Sequence, residues 1–302
     1  MPMSHRRAVW VMVAAAMLWS SAGVVTRQLD SARSFELTFW RSGFNALALV
    51  LLLSGLRGPG ALWRSLRDGG RLLWLSGLCW AVMFTAFMLA LTLTTVAHVL
   101  VTMAIAPLLT ALLSRAVLGH RLAARTWAAI LLAGVGIAWM YGSELGSDAA
   151  GGAHQWLGTA VALGVPIAAA VNWALLHHSA RADTDPGDML PAVLIGGLIS
   201  AAVTLPLSLP FAASAHDLAL LAGLGVFQLA IPCLMAVRAS QVLSAPETSL
   251  LALLEVVFGV AWAWLGAGER PTAAVLGGGA LVLGAMLLNE VFALRRSPPL
   301  AS

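Results

Sequence analysis

Near the C-terminus, Ala245 to Asn289 form two apolar runs of about 18 to 22 residues, each long enough to cross a bilayer. Between them stands only the short turn Gly266, Ala267, Gly268, Glu269, Arg270, Pro271. This pattern predicts a transmembrane hairpin, and it constrains the fold more than any other feature of the chain. An earlier stretch, Val96 to Met140, repeats its order: apolar span, Gly-x-Arg turn, Gly/Ala-rich span. At an offset of roughly 149 residues, Gly119-His120-Arg121 falls on Gly268-Glu269-Arg270, and Ala133 to Ala138 falls on Val282 to Leu287. The match is one of pattern rather than identity, and it predicts a duplication.

Apolar runs also occupy most of the chain before and between these stretches. They lie at about Ala8–Thr26, Phe35–Leu56, Leu72–Leu91, Val96–Leu118, Thr126–Tyr141, Leu157–Leu176, Met189–Leu209, Leu218–Val237, Ala245–Ala267 and Thr272–Val291. Only 10% of the 302 residues are charged, against about 25% in soluble chains, so lipid is the solvent to reason with. The expected fold class is therefore an all-α integral membrane protein of ten transmembrane helices. The first run is too long for the core of a signal peptide and is followed by many more spans.

The formal net charge of +4 does not point to nucleic acid, because the arginines fall between apolar runs rather than on one binding face. Their placement sets orientation instead. With the N-terminus inside, Arg6, Arg7, Arg57, Arg64, Arg67, Arg71, Arg115, Arg121, Arg125, Arg181, Arg238, Arg295 and Arg296 lie at the cytoplasmic side. Only Arg27, Arg33, Arg41 and Arg270 do not, so both termini are expected to be cytoplasmic. Five helices per copy is an odd number, so the second copy must be inverted relative to the first. An inverted repeat places a pseudo-two-fold axis in the membrane plane and a cavity between halves that opens to either side by rocking. The expected division is a first repeat over 1–142, an external linker over 143–155, a second repeat over 156–292 and a cytoplasmic tail over 293–302.

Leu254-Glu255-Val256-Val257-Phe258, the turn Gly268-Glu269-Arg270-Pro271 and the Gly/Ala-rich last run resemble the EamA family of the drug/metabolite transporter superfamily. In that family the end of each repeat carries a Leu-x-Pro element and a Gly-Glu-Arg turn. Here the first copy keeps the proline as Pro107 and has His120 at the turn glutamate, whereas the second keeps Glu269 and has Val256 at the proline. The resemblance implies a ten-helix carrier of small metabolites, often amino acids or related compounds, in a bacterial inner membrane. The first span holds no acidic residue, unlike the related small multidrug resistance proteins, whose first-helix glutamate exchanges protons for drug cations.

Ionisable and polar groups inside spans are the candidates for transport, since a charge at mid-span costs about 2.5 to 3.5 kcal/mol on insertion scales. Glu255, about ten residues into the ninth span, is the deepest; it suits a proton, an ammonium or a substrate hydroxyl, or else pairs within the bundle. Glu247 and His98 are equivalent at the same offset and are candidates for gating or coupling together with Glu255; Glu247, following Pro246, equally reads as a first-turn cap. Gln228, four residues before Pro232, and Asn172, six after Pro166, either line a polar pocket or satisfy helix carbonyls. Asn45 carries the same two readings, while Arg41 is expected to snorkel to the outer interface or pair with Glu36. Most of the 12 tryptophans fall at span ends as belt anchors. Trp19, Trp80 and Trp173 do not, and with Phe84 they suit an aromatic cavity wall. Gly134 with Ala138, and Ala280 with Gly284, are small residues at four-residue spacing that pack the terminal hairpins or support a homodimer; the chain is expected to be a monomer or homodimer.

No phosphate-cradling Gly-x-x-x-x-Gly-Lys-Ser/Thr loop, zinc-peptidase helix or nucleophile elbow is present, so neither an enzyme nor an ATP-driven pump is expected, and no cofactor or metal. Cys79 and Cys233 lie within apolar runs and set no redox constraint. The expectation is a secondary transporter moving a small-molecule substrate through the lipid bilayer by alternating access, first as an exporter of amino acids or related compounds. Uptake of a small metabolite is the second reading, and a non-transporting membrane sensor or assembly protein is the alternative of another class.

Overall fold

The computed structural model describes residues 3–26, 28–32, 34–94, 96–118, 123–147, 152–180, 188–267 and 272–294, which contain helices and no strand. In chain order, α1 (His5–Trp19) and α2 (Ala22–Thr26) form the first apolar unit and α3 (Ser34–Arg57) the second. A short amphipathic helix, α4 (Pro59–Arg67), precedes the third unit, α5 (Arg71–Leu93). The fourth unit is α6 (Val96–Met103) with α7 (Ala106–Leu118), the fifth α8 (Ala124–Ser147), the sixth α9 (Gly152–Ala180) and the seventh α10 (Pro191–Ser208). The eighth joins α11 (Ala215–Gly223), a π-helical segment (Leu224–Ala230) and α12 (Ile231–Ala239); the ninth joins α13 (Ala245–Ala252) and α14 (Leu254–Ala267); the tenth is α15 (Ala273–Leu294).

Eight of these units are long and apolar enough to cross a bilayer, and two shorter apolar helices, Ala124–Met140 and Ala273–Asn289, stand where the fifth and tenth spans are expected. The chain is a multi-pass membrane protein. Its outward surface is as apolar as its interior, with Leu51, Leu265 and Leu287 all exposed, which is why no unit shows a clear amphipathic stripe except α4. Residues 143–147 and 152–155, read from sequence as linker, are helical extensions of α8 and α9. The turns carrying His120 and Glu269, the chain termini and the tail from 295 onward lie outside the described residues.

Four units expected to be continuous are broken, each for a local reason. The first stops at Trp19, where the hydroxyls of Ser20 and Ser21 donate to the carbonyls of Met17 and Leu18 at 2.7 Å and so draw those groups away from the helix ladder. The fourth stops at Ala104 and Ile105, ahead of Pro107, whose ring disfavours helix for the residue before it. The ninth stops at the equivalent Leu253 although Val256 replaces the proline, so the break recurs without its usual cause. The eighth widens into the π segment just before Pro232; there the Ile231 amide reaches back five residues to the Val226 carbonyl.

Packing pairs units across the two halves. α3 lies on α10, α8 on α15 and α7 on α13; α5 packs on α9 as α1 does on α12. α5 also packs on α10 as α3 does on the π segment, and α7 on α9 as α1 does on α13 and α14. Exchanging each unit with the one five further along returns this set of contacts to itself. Close approach is bought by glycine at two of these seams. A Cβ on Gly136 would stand 2.7 Å from the Gly278 carbonyl between α8 and α15, and one on Gly225 would stand 2.6 Å from Phe44 Cβ and 2.9 Å from the Arg41 carbonyl. The small residues read from spacing, Gly134, Ala138, Ala280 and Gly284, are not the contact points: Ala138 and Ala280 are exposed, and a Cβ on Gly134 or Gly284 would meet nothing.

Candidate functional site

The breaks in the first, fourth, eighth and ninth units surround one cavity of about 120 Å³. One wall is aromatic. Trp80, Phe84 and Phe87 present it from successive turns of α5, Trp173 from α9, and Trp19 from the last residue of α1. Trp80 meets Trp173 edge-on at 5.8 Å between ring centroids and leans on Phe84 at 5.6 Å, which fixes the ring planes as a rigid apolar face.

Facing this wall are Arg41 from α3, Gln228 from the π segment, Cys233 from α12, Ser249 from α13 and Glu255 from α14. Arg41 is 2% exposed, two turns into its helix, and neither snorkels nor pairs with Glu36. Glu36 instead accepts from the amides of Ala212 and Ala213, at 2.8 to 3.0 Å, and ties the start of α3 to the loop after α10. The reason is geometric: five residues along a helix put the two side chains on different faces. Arg41 donates to Gln228 Oε1 at 3.4 Å and to the Phe84 carbonyl at 3.3 Å, while its Nε has no hydrogen-bond partner. Both acceptors are neutral and both bonds are long. Glu255 lines the same cavity from α14, yet among the described residues no carboxylate lies within 4.0 Å of the guanidinium. A buried guanidinium and a half-buried carboxyl that share a cavity without closing on each other leave space for a charged species between them.

Gln228 does not repair its own helix. Its Nε2 donates to the Trp19 carbonyl at 3.2 Å, at the break between α1 and α2, while its Oε1 accepts from Arg41. The residue thus links the cavity cation to the end of the first helix. Asn172 lies outside the cavity and accepts from Ser76 at 2.6 Å, a joint between α9 and α5. Asn45 is fully buried between α3 and α10 beside Gly197 and likewise does not line the cavity. Glu247 closes a capping box with Ser244, accepting from the Ser244 amide at 2.9 Å, so its carboxylate is engaged at the start of α13. His98 falls in α6, and its side chain lies outside the described residues.

Arg41, Cys233 and Ser249 belong to the cavity and were not read from the sequence as part of it. For Arg41 a signal was present: it is an ionisable residue inside a span and one of four arginines off the arginine-rich side. For Cys233 the signal is the 149-residue offset, which sets it on Phe84; Ser249 falls on Leu100, outside the cavity, and has no such signal. At the offset of roughly 149, Trp80 corresponds to Leu229, Phe84 to Cys233, Met103 to Ala252 and Ala106 to Glu255, and all eight line the cavity. Positions 149 residues apart thus line the cavity with different chemistry: Trp80, Phe84 and Met103 are bulkier than Leu229, Cys233 and Ala252, whereas Ala106 stands opposite the ionisable Glu255.

A second titratable cluster, Asp30, His216 and Asp217, sits at the start of α11. The Asp217 carboxylate accepts from the amides of Asp30, Ser31, Ala32 and Ser214 and from the Ser31 hydroxyl, at 2.8 to 3.2 Å. Its lone pairs are taken by N–H and O–H donors, so it clamps the loop between α2 and α3 rather than presenting free ligand atoms.

Residues 6–142 match the EamA-like transporter family. No curated protein matches the chain. Among 28 matching chains of solved structures is one titled "Crystal structure of protein", similar with a TM-score of 0.77 at 19% identity and covering 97% of this chain and 100% of that one. That likeness is one of fold.

Proposed function

We propose, from the match of residues 6–142 to the EamA-like transporter family of the drug/metabolite transporter superfamily, that the chain is a secondary transporter of zwitterionic metabolites of the amino-acid class, acting as an exporter in a bacterial inner membrane. One observation carries the substrate class: the Arg41 guanidinium and the Glu255 carboxyl line the same aromatic cavity with no direct ion pair. A carboxylate displaces the two neutral acceptors of Arg41 and gains a charge-assisted bond. An ammonium takes Glu255, and an apolar or aromatic side chain lies against Trp80, Phe84 and Trp173.

Alternating access is supported by the main helix pairs named above, which exchange into one another when units five apart are swapped, and by the cavity positions 149 residues apart. Under this reading residues 1–142 and 156–292 are the two inverted repeats, ten spans in all with both ends cytoplasmic, and the cavity lies on their pseudo-axis. Arg41 comes from one half and Glu255 from the other, so a zwitterion bound to both bridges the halves across the seam that must rock. No covalent chemistry is required of any residue, and the side chains act by binding and orientation alone.

The test is a growth-inhibition panel. Bacteria overexpressing the intact chain, Arg41→Gln or Glu255→Gln are exposed to toxic amino-acid analogues, nucleobase analogues and lipophilic cations. Resistance confined to amino-acid analogues and lost in both variants is the expected result. Sensitisation to those analogues reverses the direction to uptake, and resistance to nucleobases or lipophilic cations that survives in both variants overturns the substrate class.

A further inference from the structure

The cavity does not use α4, the one helix of the chain with a strongly one-sided pattern. α3 ends at Arg57, and Gly58, with φ of 83°, turns the backbone through a region open to glycine so that α4 begins at Pro59 without continuing the span. Leu62 is buried and Leu66 packs on the central core, holding α4 against the ends of α3 and α10. Its other face is exposed: Trp63 is 67% exposed, and Arg64 and Arg67 beside it are open as well. Arg71 continues the basic series at the start of α5.

The charges on this face are unevenly matched. Arg67 is paired with Asp68 and Arg57 with Asp188, whereas Arg64 and Arg71 have no carboxylate partner among the described residues. Arg64 bonds only the Gly60 carbonyl, at 3.3 Å. Trp10 and Trp74, each about one turn into a membrane-spanning helix, are also exposed, at 63% and 50%. An exposed indole next to unpaired arginines on a short helix at the end of two spans has the composition of a segment lying in the bilayer interface.

We propose that α4 is a docking surface for anionic phospholipid headgroups, with Trp63 set in the boundary between headgroup and acyl chain and the unpaired Arg64 and Arg71 on the headgroup phosphates. The occupant is fixed by charge: zwitterionic lipid satisfies the indole but offers the arginines no net charge, whereas a phosphatidylglycerol-type headgroup satisfies both. Where the arginines are this close to a charged surface, each contributes about fivefold to retention. The proposal stands apart from the substrate reading, since lipid retention is measured without any solute.

The experiment is native mass spectrometry of the detergent-solubilised full chain titrated with phosphatidylglycerol and, in parallel, phosphatidylcholine. The intact chain is expected to retain phosphatidylglycerol preferentially. Arg64→Gln/Arg71→Gln is expected to weaken that retention roughly 30-fold, taking about fivefold per charge, with phosphatidylcholine unchanged. Arg64→Lys/Arg71→Lys is expected to keep the preference, which separates charge from misfolding. Arg6→Gln/Arg7→Gln removes the same net charge at the exposed start of α1 and is expected to have little effect. In vesicles of brominated phosphatidylglycerol, the emission lost on quenching should fall in Trp63→Phe. Equal retention of the two lipids by the intact chain, an equal loss in the Arg6/Arg7 variant, or quenching indifferent to Trp63 would each overturn the proposal.

Discussion

Replacing Arg41 by glutamine removes the cation from one side of the cavity and leaves Glu255 on the other. In the structure the guanidinium is held by two neutral acceptors at 3.3 and 3.4 Å, beyond the usual distance for such bonds, so little is lost by giving them up. A substrate carboxylate in their place is worth about 1.5 to 3 kcal/mol as a hydrogen bond to a charged group, or roughly 10- to 150-fold in affinity. Glu255→Gln is expected to cost a similar amount at the ammonium end. The informative assay is therefore a comparison of ligands: phenylalanine, its amide and 3-phenylpropanoate compete for counterflow of labelled phenylalanine in proteoliposomes. Arg41→Gln should weaken phenylalanine and 3-phenylpropanoate and spare the amide, whereas Glu255→Gln should weaken phenylalanine and the amide and spare 3-phenylpropanoate. The double variant removes both ionisable groups of the cavity and serves as a check on folding, since each single variant leaves the other without its counterpart. If Arg41→Gln weakens the amide as much as the acid, the guanidinium is not the carboxylate site and the zwitterion argument fails.

Gly225→Ala places a methyl 2.8 Å from the Asn45 amide and 2.9 Å from the Arg41 carbonyl, backbone atoms that cannot rotate away, so a loss of about 1 to 3 kcal/mol in thermal unfolding is expected. Glu247→Ala removes half of a capping box and should cost about 1 kcal/mol in the same measurement while leaving counterflow rates intact; a lost transport step would instead assign Glu247 to gating. Asp217→Ala strips the loop at 30–32 of its acceptor, and its unmet amides should lower stability by at least about 2 kcal/mol and speed proteolysis between α2 and α3.

Much of the architecture was legible because the bilayer imposes strict terms. A span must be apolar for about 20 residues and must satisfy its own backbone, so runs such as Leu72–Leu91 and Leu157–Leu176 appear in the sequence almost as they stand in α5 and α9. The aromatic wall was legible for a related reason: Trp19, Trp80 and Trp173 lie too deep for the interfacial belt, and a mid-span tryptophan needs another role. Arg41 was misread since Glu36 is near it in sequence, and sequence distance says nothing about which helix face a residue occupies. Asn172 and Gln228 looked alike as polar residues near a proline; the fold gave one a serine on a neighbouring helix and the other an arginine and a broken helix end.

Hydropathy, the arginine bias and the 149-residue offset are one-dimensional quantities, and from them the chain alone determines a membrane bundle and an expectation of duplication. The cavity depends on groups 187 and 209 residues apart meeting across helices, as the Arg41 side chain and the Trp19 carbonyl meet Gln228. The helix break at Leu253 makes the same point. Its counterpart at Ala104 has Pro107 to explain it, but Leu253 has no local cause in the sequence, and the helices on either side of it pack chiefly against the first, fourth and sixth units. Local rules say where a helix can end; only the tertiary structure decides that both halves end theirs around the same space, since the free energy of that break comes from contacts made with distant helices.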